Sequence, residues 1–142
     1  MKNILKLLGK YTILFIIGGI VYNLIEIIWR GYSHWTMFIL GGLCFVFLGL
    51  INEFIPWDMP LCIQMLIGTI IITILEYITG YIVNIKLGMN VWDYSLLPFN
   101  LNGQICLLFS ILWYFISAIG IILDDIIRWK LFKEEKPTYK II

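Results

Sequence analysis

The sequence predicts an all-α integral membrane protein, a bundle of four transmembrane helices with a long outer loop between the third and the fourth. Three observations carry this expectation. Of the 142 residues, 61% are hydrophobic and only 13% charged, against about a quarter charged in a soluble domain. Apolar runs of about 20 residues, long enough to cross a bilayer, recur at residues 11–29, 35–55, 61–85 and 104–127. None of these runs alternates apolar with polar residues as the strands of a closed barrel must. The chain, 1–142, is expected to form a single transmembrane domain, with 128–142 as a charged cytoplasmic tail. Ten Lys and Arg nearly cancel nine Asp and Glu, so net charge offers no field for nucleic acid.

The first run follows a leader, Met1 to Lys10, that carries Lys2, Lys6 and Lys10. It is too long for a secretory h-region of roughly 7 to 15 residues and lacks a small-residue cleavage pattern, so it reads as a retained anchor. The second run is closed by Pro56 and Pro60, which flank Trp57 and Asp58 and place a turn there. The third is rich in Ile and Thr. Their β-branching matters little where lipid forces backbone hydrogen bonds to close internally, so helix is expected. The fourth leads into the tail.

Basic residues set the expected orientation, because cytoplasmic flanks collect Lys and Arg. The leader and the tail (Arg128, Lys130, Lys133, Lys136, Lys140) hold eight, and the two outer loops hold only Arg30 and Lys86. A multi-pass protein of the cell membrane with both termini cytoplasmic is therefore expected. Trp29, Tyr32, Trp35, Trp57, Trp92, Tyr94 and Trp129 fall near span ends, as interfacial anchors do.

Cys44, Cys62 and Cys106 are scattered, which gives no disulfide framework and no metal pattern. No Gly-x-x-x-x-Gly-Lys-Ser/Thr phosphate loop is present, so any ATP-derived energy would come from a partner. His34 is a lone histidine at a membrane interface. No spaced Ser, His and Asp set suggests a nucleophile, and the chain is not expected to be an enzyme. No cofactor is implied.

Ionisable groups inside a span cost roughly 2.5 to 3.5 kcal/mol, so each must face protein, water or a partner. In the first span Gly19, Asn23, Glu26 and Arg30 share one helical face, and Glu26 and Arg30 can pair. In the second, Gly42, Gly49, Asn52 and Glu53 make a similar face. In the third, Thr69, Thr73, Glu76, Gly80 and Asn84 form a polar and small stripe. Such stripes can also hold helices together without transport or chemistry. Glu76 stands apart, because it lies roughly 13 Å from the outer end of its helix, too deep to snorkel out. The loop from Lys86 to Gly103 is too apolar for a solvated linker and too broken by Pro98 and Gly103 for another span, so it is expected to fold back onto the bundle. Asp93 in that loop has only Arg30 and Lys86 as outer-side cations.

Glu76, Tyr77, Thr79, Gly80 and Tyr81, then Trp92, Asp93, Tyr94 and Ser95, then Pro98, Asn100, Asn102 and Gly103, and finally Phe109, Ser110 and Trp113 form a detailed local pattern. It resembles the signature half of the CmpB-type ABC-transporter permease family, and Gly19 with Glu26 resembles the family's amino-terminal pattern. Together these cover roughly half the chain. The family's middle motif, Asn-Arg-Gly-Phe-Leu, is replaced here by Gly31, Tyr32, Ser33, His34 and Trp35. The resemblance implies a small bundle with acidic residues in its first and third helices and a Trp-Asp-Tyr-Ser loop.

The leading expectation is a transport-related, permease-like subunit with an outward-facing acidic site for a ligand or ion, built from Glu76, Glu26, Arg30, Asp93, Asn100 and Asn102. The loop signature is Trp92, Asp93, Tyr94, Ser95 and Gly103. The alternative is a structural or regulatory membrane protein whose polar faces mediate assembly with a partner. Four helices make a narrow pore, so the expected partners are the lipid bilayer, further copies or another membrane subunit, and a separate ATPase.

Overall fold

The computed structural model describes residues 1–54, 59–134, 136, 137 and 139. The turn expected around Pro56, Trp57 and Asp58, and the side chains of Asn52 and Glu53, lie outside the described residues. Four α-helices make up the body: α1 (Lys2–Arg30), α2 (Trp35–Phe54), α3 (Leu61–Gly80) and α4 (Leu107–Lys130). A π-helical extension, Tyr81–Lys86, continues α3. A two-residue antiparallel ladder, β1 (Asn100–Leu101) with β2 (Ile105–Cys106), closes the loop before α4.

The helix of the first span begins at Lys2, so the leader is part of it. Its lysines sit four residues apart with Ile4, Leu5, Leu7 and Leu8 between them, a spacing that suits a helix. α1 ends at Gly31, whose left-handed φ of 79° lets its N–H close the last turn onto Ile27 O.

The four-span expectation is overturned. Among the described residues, three helices are long and apolar enough to cross a membrane: Lys2–Arg30, the continuous Leu61–Lys86 and Leu107–Lys130. The apolar stretch of α2, Trp35–Ile51, is shorter, about 25 Å at 1.5 Å per residue against a hydrocarbon core of about 30 Å. Asn52 and Glu53 end that apolar run before Ile55. The chain is a multi-pass membrane protein; among the described residues three helices are of spanning length, and the shorter α2 returns between α1 and α3.

α2 runs antiparallel along α1 in the most extensive helix pairing of the fold. Its close approach rests on glycine facing aromatic: a Cβ at Gly18 would overlap Phe45, and one at Gly41 would overlap Tyr22. α3 and α4 pair antiparallel, and α2 touches both. Leu40, Leu48, Ile72 and Ile121 form the centre of the core between these three helices. α1 buries only Leu14, Gly18 and Gly19. Large hydrophobic residues lie exposed along every helix, Ile20, Ile39, Ile70 and Ile119 among them, as a lipid-facing surface requires.

Candidate functional site

Residues four apart on α3, namely Gln64, Gly68, Ile72, Glu76 and Gly80, form its buried face. This stripe shares Glu76 and Gly80 with the expected polar one but replaces the threonines. Thr69 instead donates to its own helix at Met65 O (2.8 Å).

Glu76 is 3% exposed. Its Oε1 accepts from Tyr94 Oη at 3.0 Å and its Oε2 from Trp113 Nε1 at 2.8 Å. Tyr94 stacks on Phe109 at 4.7 Å, and Trp113 stacks on Tyr22 at 5.8 Å. One carboxylate thus joins α3, α4 and the loop between them, with an α1 ring behind it. Both donors are neutral, and among the described residues no Lys or Arg pairs with Glu76. A buried charge without a cation is costly, so this arrangement fixes the carboxyl in place without neutralising it.

Glu26 and Arg30 form an ion pair one helical turn apart. Arg30 also donates from Nη1 to Val91 O at 3.1 Å and packs over the Tyr32 ring at 4.6 Å. The end of α1 is thereby tied to the start of the loop.

The loop is held by a second hub. Asn84 Oδ1 accepts from Val91 N (2.7 Å), and Asn84 Nδ2 donates to Gln104 Oε1 (2.8 Å). Trp92 Nε1 donates to Gln104 O (3.0 Å). This hub presses against Gly80, where a Cβ would meet Gln104 and Trp92. The wide π-helical turn before it presents Asn84 towards the loop, with Met89 N donating back to Val83 O.

Asp93 is exposed and makes no hydrogen bond to Glu76, Tyr94 or Trp113 among the described residues. Its Oδ1 accepts from Ser95 N at 2.9 Å, and that backbone N–H holds the carboxyl below its ordinary pKa. Gly103 lies beneath it with φ +72°, and a Cβ there would meet Asp93 Oδ1. Neither expected cation reaches Asp93: Arg30 pairs with Glu26, and Lys86 sits over the Tyr81 ring at 5.7 Å. Asn100 braces the turn, donating from Nδ2 to Leu97 O (2.8 Å) and accepting at Oδ1 from Gly103 N (3.1 Å). Asn102, at φ 54°, donates to Tyr77 Oη at 2.8 Å. Burial, then the charge of Glu76, pushes the Tyr94 hydroxyl pKa up, so it stays a donor.

The candidates therefore fall into three groups. Glu76 meets Tyr94, Arg30 joins Glu26 to the loop backbone at Val91, and Asp93, Asn100 and Asn102 shape the loop itself. Sequence reasoning missed Gln104 as a hub and a second polar cluster at the other end of the bundle. There Arg128 Nε donates to Asp124 Oδ2 (2.7 Å), Tyr139 Oη donates to Asp125 Oδ2 (2.7 Å), and Lys10 pairs with Glu134 (2.8 Å). The i,i+4 spacing of Asp124 and Arg128 was the signal available. No group of His, Cys, Asp and Glu among the described residues could hold a metal ion.

A buried acid on the third helix, clasped by the Tyr of a Trp-Asp-Tyr-Ser loop and the Trp of the fourth helix, gives the sequence pattern a physical reason to exist. Residues 11–141 match the family model ABC_trans_CmpB, described as "Putative ABC-transporter type IV". The chain belongs to this family. No curated protein and no solved structure matches it. In this ABC_trans_CmpB member, Tyr94 and Trp113 are the two hydrogen-bond donors to Glu76.

Proposed function

We propose that this family member is a non-catalytic, transport-related membrane subunit in which Glu76, capped by the Tyr94 loop, forms an outward-facing acidic site. The observation that carries the reading is the buried carboxylate with two neutral donors, one of which belongs to a loop. Release of Tyr94 would expose a charged oxygen with no protein cation to satisfy it, a site for a cation or proton. Arg30, paired with Glu26, holds the same loop at Val91 O.

The orientation follows from charge. Lys10 and Glu134 bring the first part of α1 and the segment after α4 to one end of the bundle, the end where the basic residues concentrate, and we assign that end to the cytoplasm. A separate ATPase would supply energy there, since this sequence carries no phosphate loop of its own.

Complementation of a strain lacking the gene tests the reading. Glu76→Gln keeps the shape of the side chain and removes its charge. The expected result is loss of function with normal protein in the membrane. Full function of that variant would overturn the acidic site and favour a purely structural carboxylate.

A further inference from the structure

The outer halves of α1 and α4 stand apart. Between them lies a cavity of about 290 Å³ lined by Tyr22, Glu26 and Trp29 of α1 and by Phe109 and Trp113 of α4. That volume is near the lower end of small-ligand pockets. It opens at the bundle surface beside Trp29, which is largely exposed.

Three features of this crevice select positive charge. Four aromatic side chains contribute to its wall, and ring faces attract cations most strongly where water is excluded. The Glu26 carboxylate lies among them. Trp113 is the third feature: its Nε1–H is bonded to Glu76 Oε2, and an indole that donates to a carboxylate gains electron density, which makes its face more negative. Glu26 is the charged side chain in this lining, and its partner Arg30, which is engaged with Glu26, Val91 O and Tyr32, does not line the cavity.

We propose that the crevice between α1 and α4 binds a lipophilic organic cation, a quaternary or protonated amine bearing an apolar group. The apolar group takes the aliphatic wall, and the ammonium lies against Trp113 and Tyr22 beside Glu26. A neutral chain would fill the same wall but make no use of the ring faces or the Glu26 carboxylate. The inference rests on the acidic-site reading for its biological purpose, but binding does not require transport.

The test is equilibrium dialysis of the purified full-length protein in maltoside micelles against radiolabelled benzyltrimethylammonium, with empty micelles as the blank. Saturable retention is expected, with little displacement by neopentylbenzene, the neutral isostere. Affinity should fall about tenfold in Glu26→Gln and in Trp113→Phe. No saturable retention, full displacement by the isostere, or unchanged affinity in both variants would overturn the site. If Trp113→Phe does not elute as a folded species, Glu26→Gln and Trp29→Leu decide the matter by the same criterion. A cation that binds while Glu76→Gln complements fully keeps the site and removes the transport reading. Absence of binding alongside an inactive Glu76→Gln does the reverse.

Discussion

Tyr94 reaches from the loop between α3 and α4 to donate a hydrogen bond to Glu76, 18 residues earlier in the chain, at 3.0 Å. The same ring stacks on Phe109 of α4, so the hydroxyl and the ring perform separable tasks. Tyr94→Phe keeps the stack and removes the bond. Hydrogen bonds to charged groups contribute about 1.5 to 3 kcal/mol, so loop docking should weaken by about that amount. A thiol introduced at Ser95 should then react at least tenfold faster in the Tyr94→Phe background. In a Glu76→Gln background the same Tyr94 change should cost less, because the acceptor has lost its charge. Strict additivity of the two substitutions would contradict the coupling.

The loop should also respond to acid. Ser95 N holds the Asp93 carboxylate below its ordinary pKa. A depressed folded-state pKa contributes order that is present above the unfolded value, about 3.9, and is lost as pH falls through the lower, folded value. Normalised to a free thiol at each pH, the difference in reactivity of a thiol at Leu96, which is 98% exposed, between the wild type and Asp93→Ala should therefore be flat from pH 7 to about pH 4 and change only below that. Asp93→Ala should remove the acid transition. A transition centred near pH 6 would point to a different group.

How much of this was legible in the sequence differs by element. The helices were, because lipid leaves few alternatives to a long apolar run, and the spacing of Glu26 and Arg30 already puts them within one turn. The number of spanning helices was not. The second run was read through Asn52 and Glu53 to Ile55, whereas the apolar stretch among the described residues of α2 is Trp35–Ile51. Glu76 stood out by depth alone, but its partners did not. Tyr94 and Trp113 lie 18 and 37 residues away, and no local periodicity links them; only the family pattern placed all three together. Asp124 and Asp125 were absorbed into the fourth apolar run, although two adjacent acids there are as costly as Glu76.

Lys10 and Glu134 place the ends of α1 and α4 side by side, which makes the orientation testable with single thiols. Thiols introduced at Asn3 and at Lys136 should share one side of the membrane, and thiols at Gly31 and Ser95 should share the other. A membrane-impermeant reagent added to intact cells is expected to modify the second pair only. Labelling of Lys136→Cys from outside would invert the proposed orientation, and labelling of Asn3→Cys without Lys136→Cys would break the pairing of the ends.

Asp124 and Arg128 form a buried ion pair, with side chains 0% and 6% exposed and Nε 2.7 Å from Oδ2. Gly49 makes room for it, since a Cβ there would run into the Asp124 carboxyl. Removing one partner of a buried pair costs about 3 to 5 kcal/mol, because the other charge is left unpaired, whereas removing both is much cheaper. Arg128→Met should therefore lower stability strongly. The double variant Asp124→Asn with Arg128→Met should recover most of that loss, even though Tyr11 loses the guanidinium 5.5 Å from its ring in both. Lys10→Ala, which breaks a more exposed pair with Glu134, should cost about 1 kcal/mol or less. Gly49→Ala should destabilise through the same carboxylate, and Val46→Leu should be tolerated better. Denaturant titration in micelles measures all five proteins on one scale. If the double variant is as unstable as Arg128→Met alone, Arg128 acts through its packing rather than its charge, and the pair is not what holds this end of the bundle together.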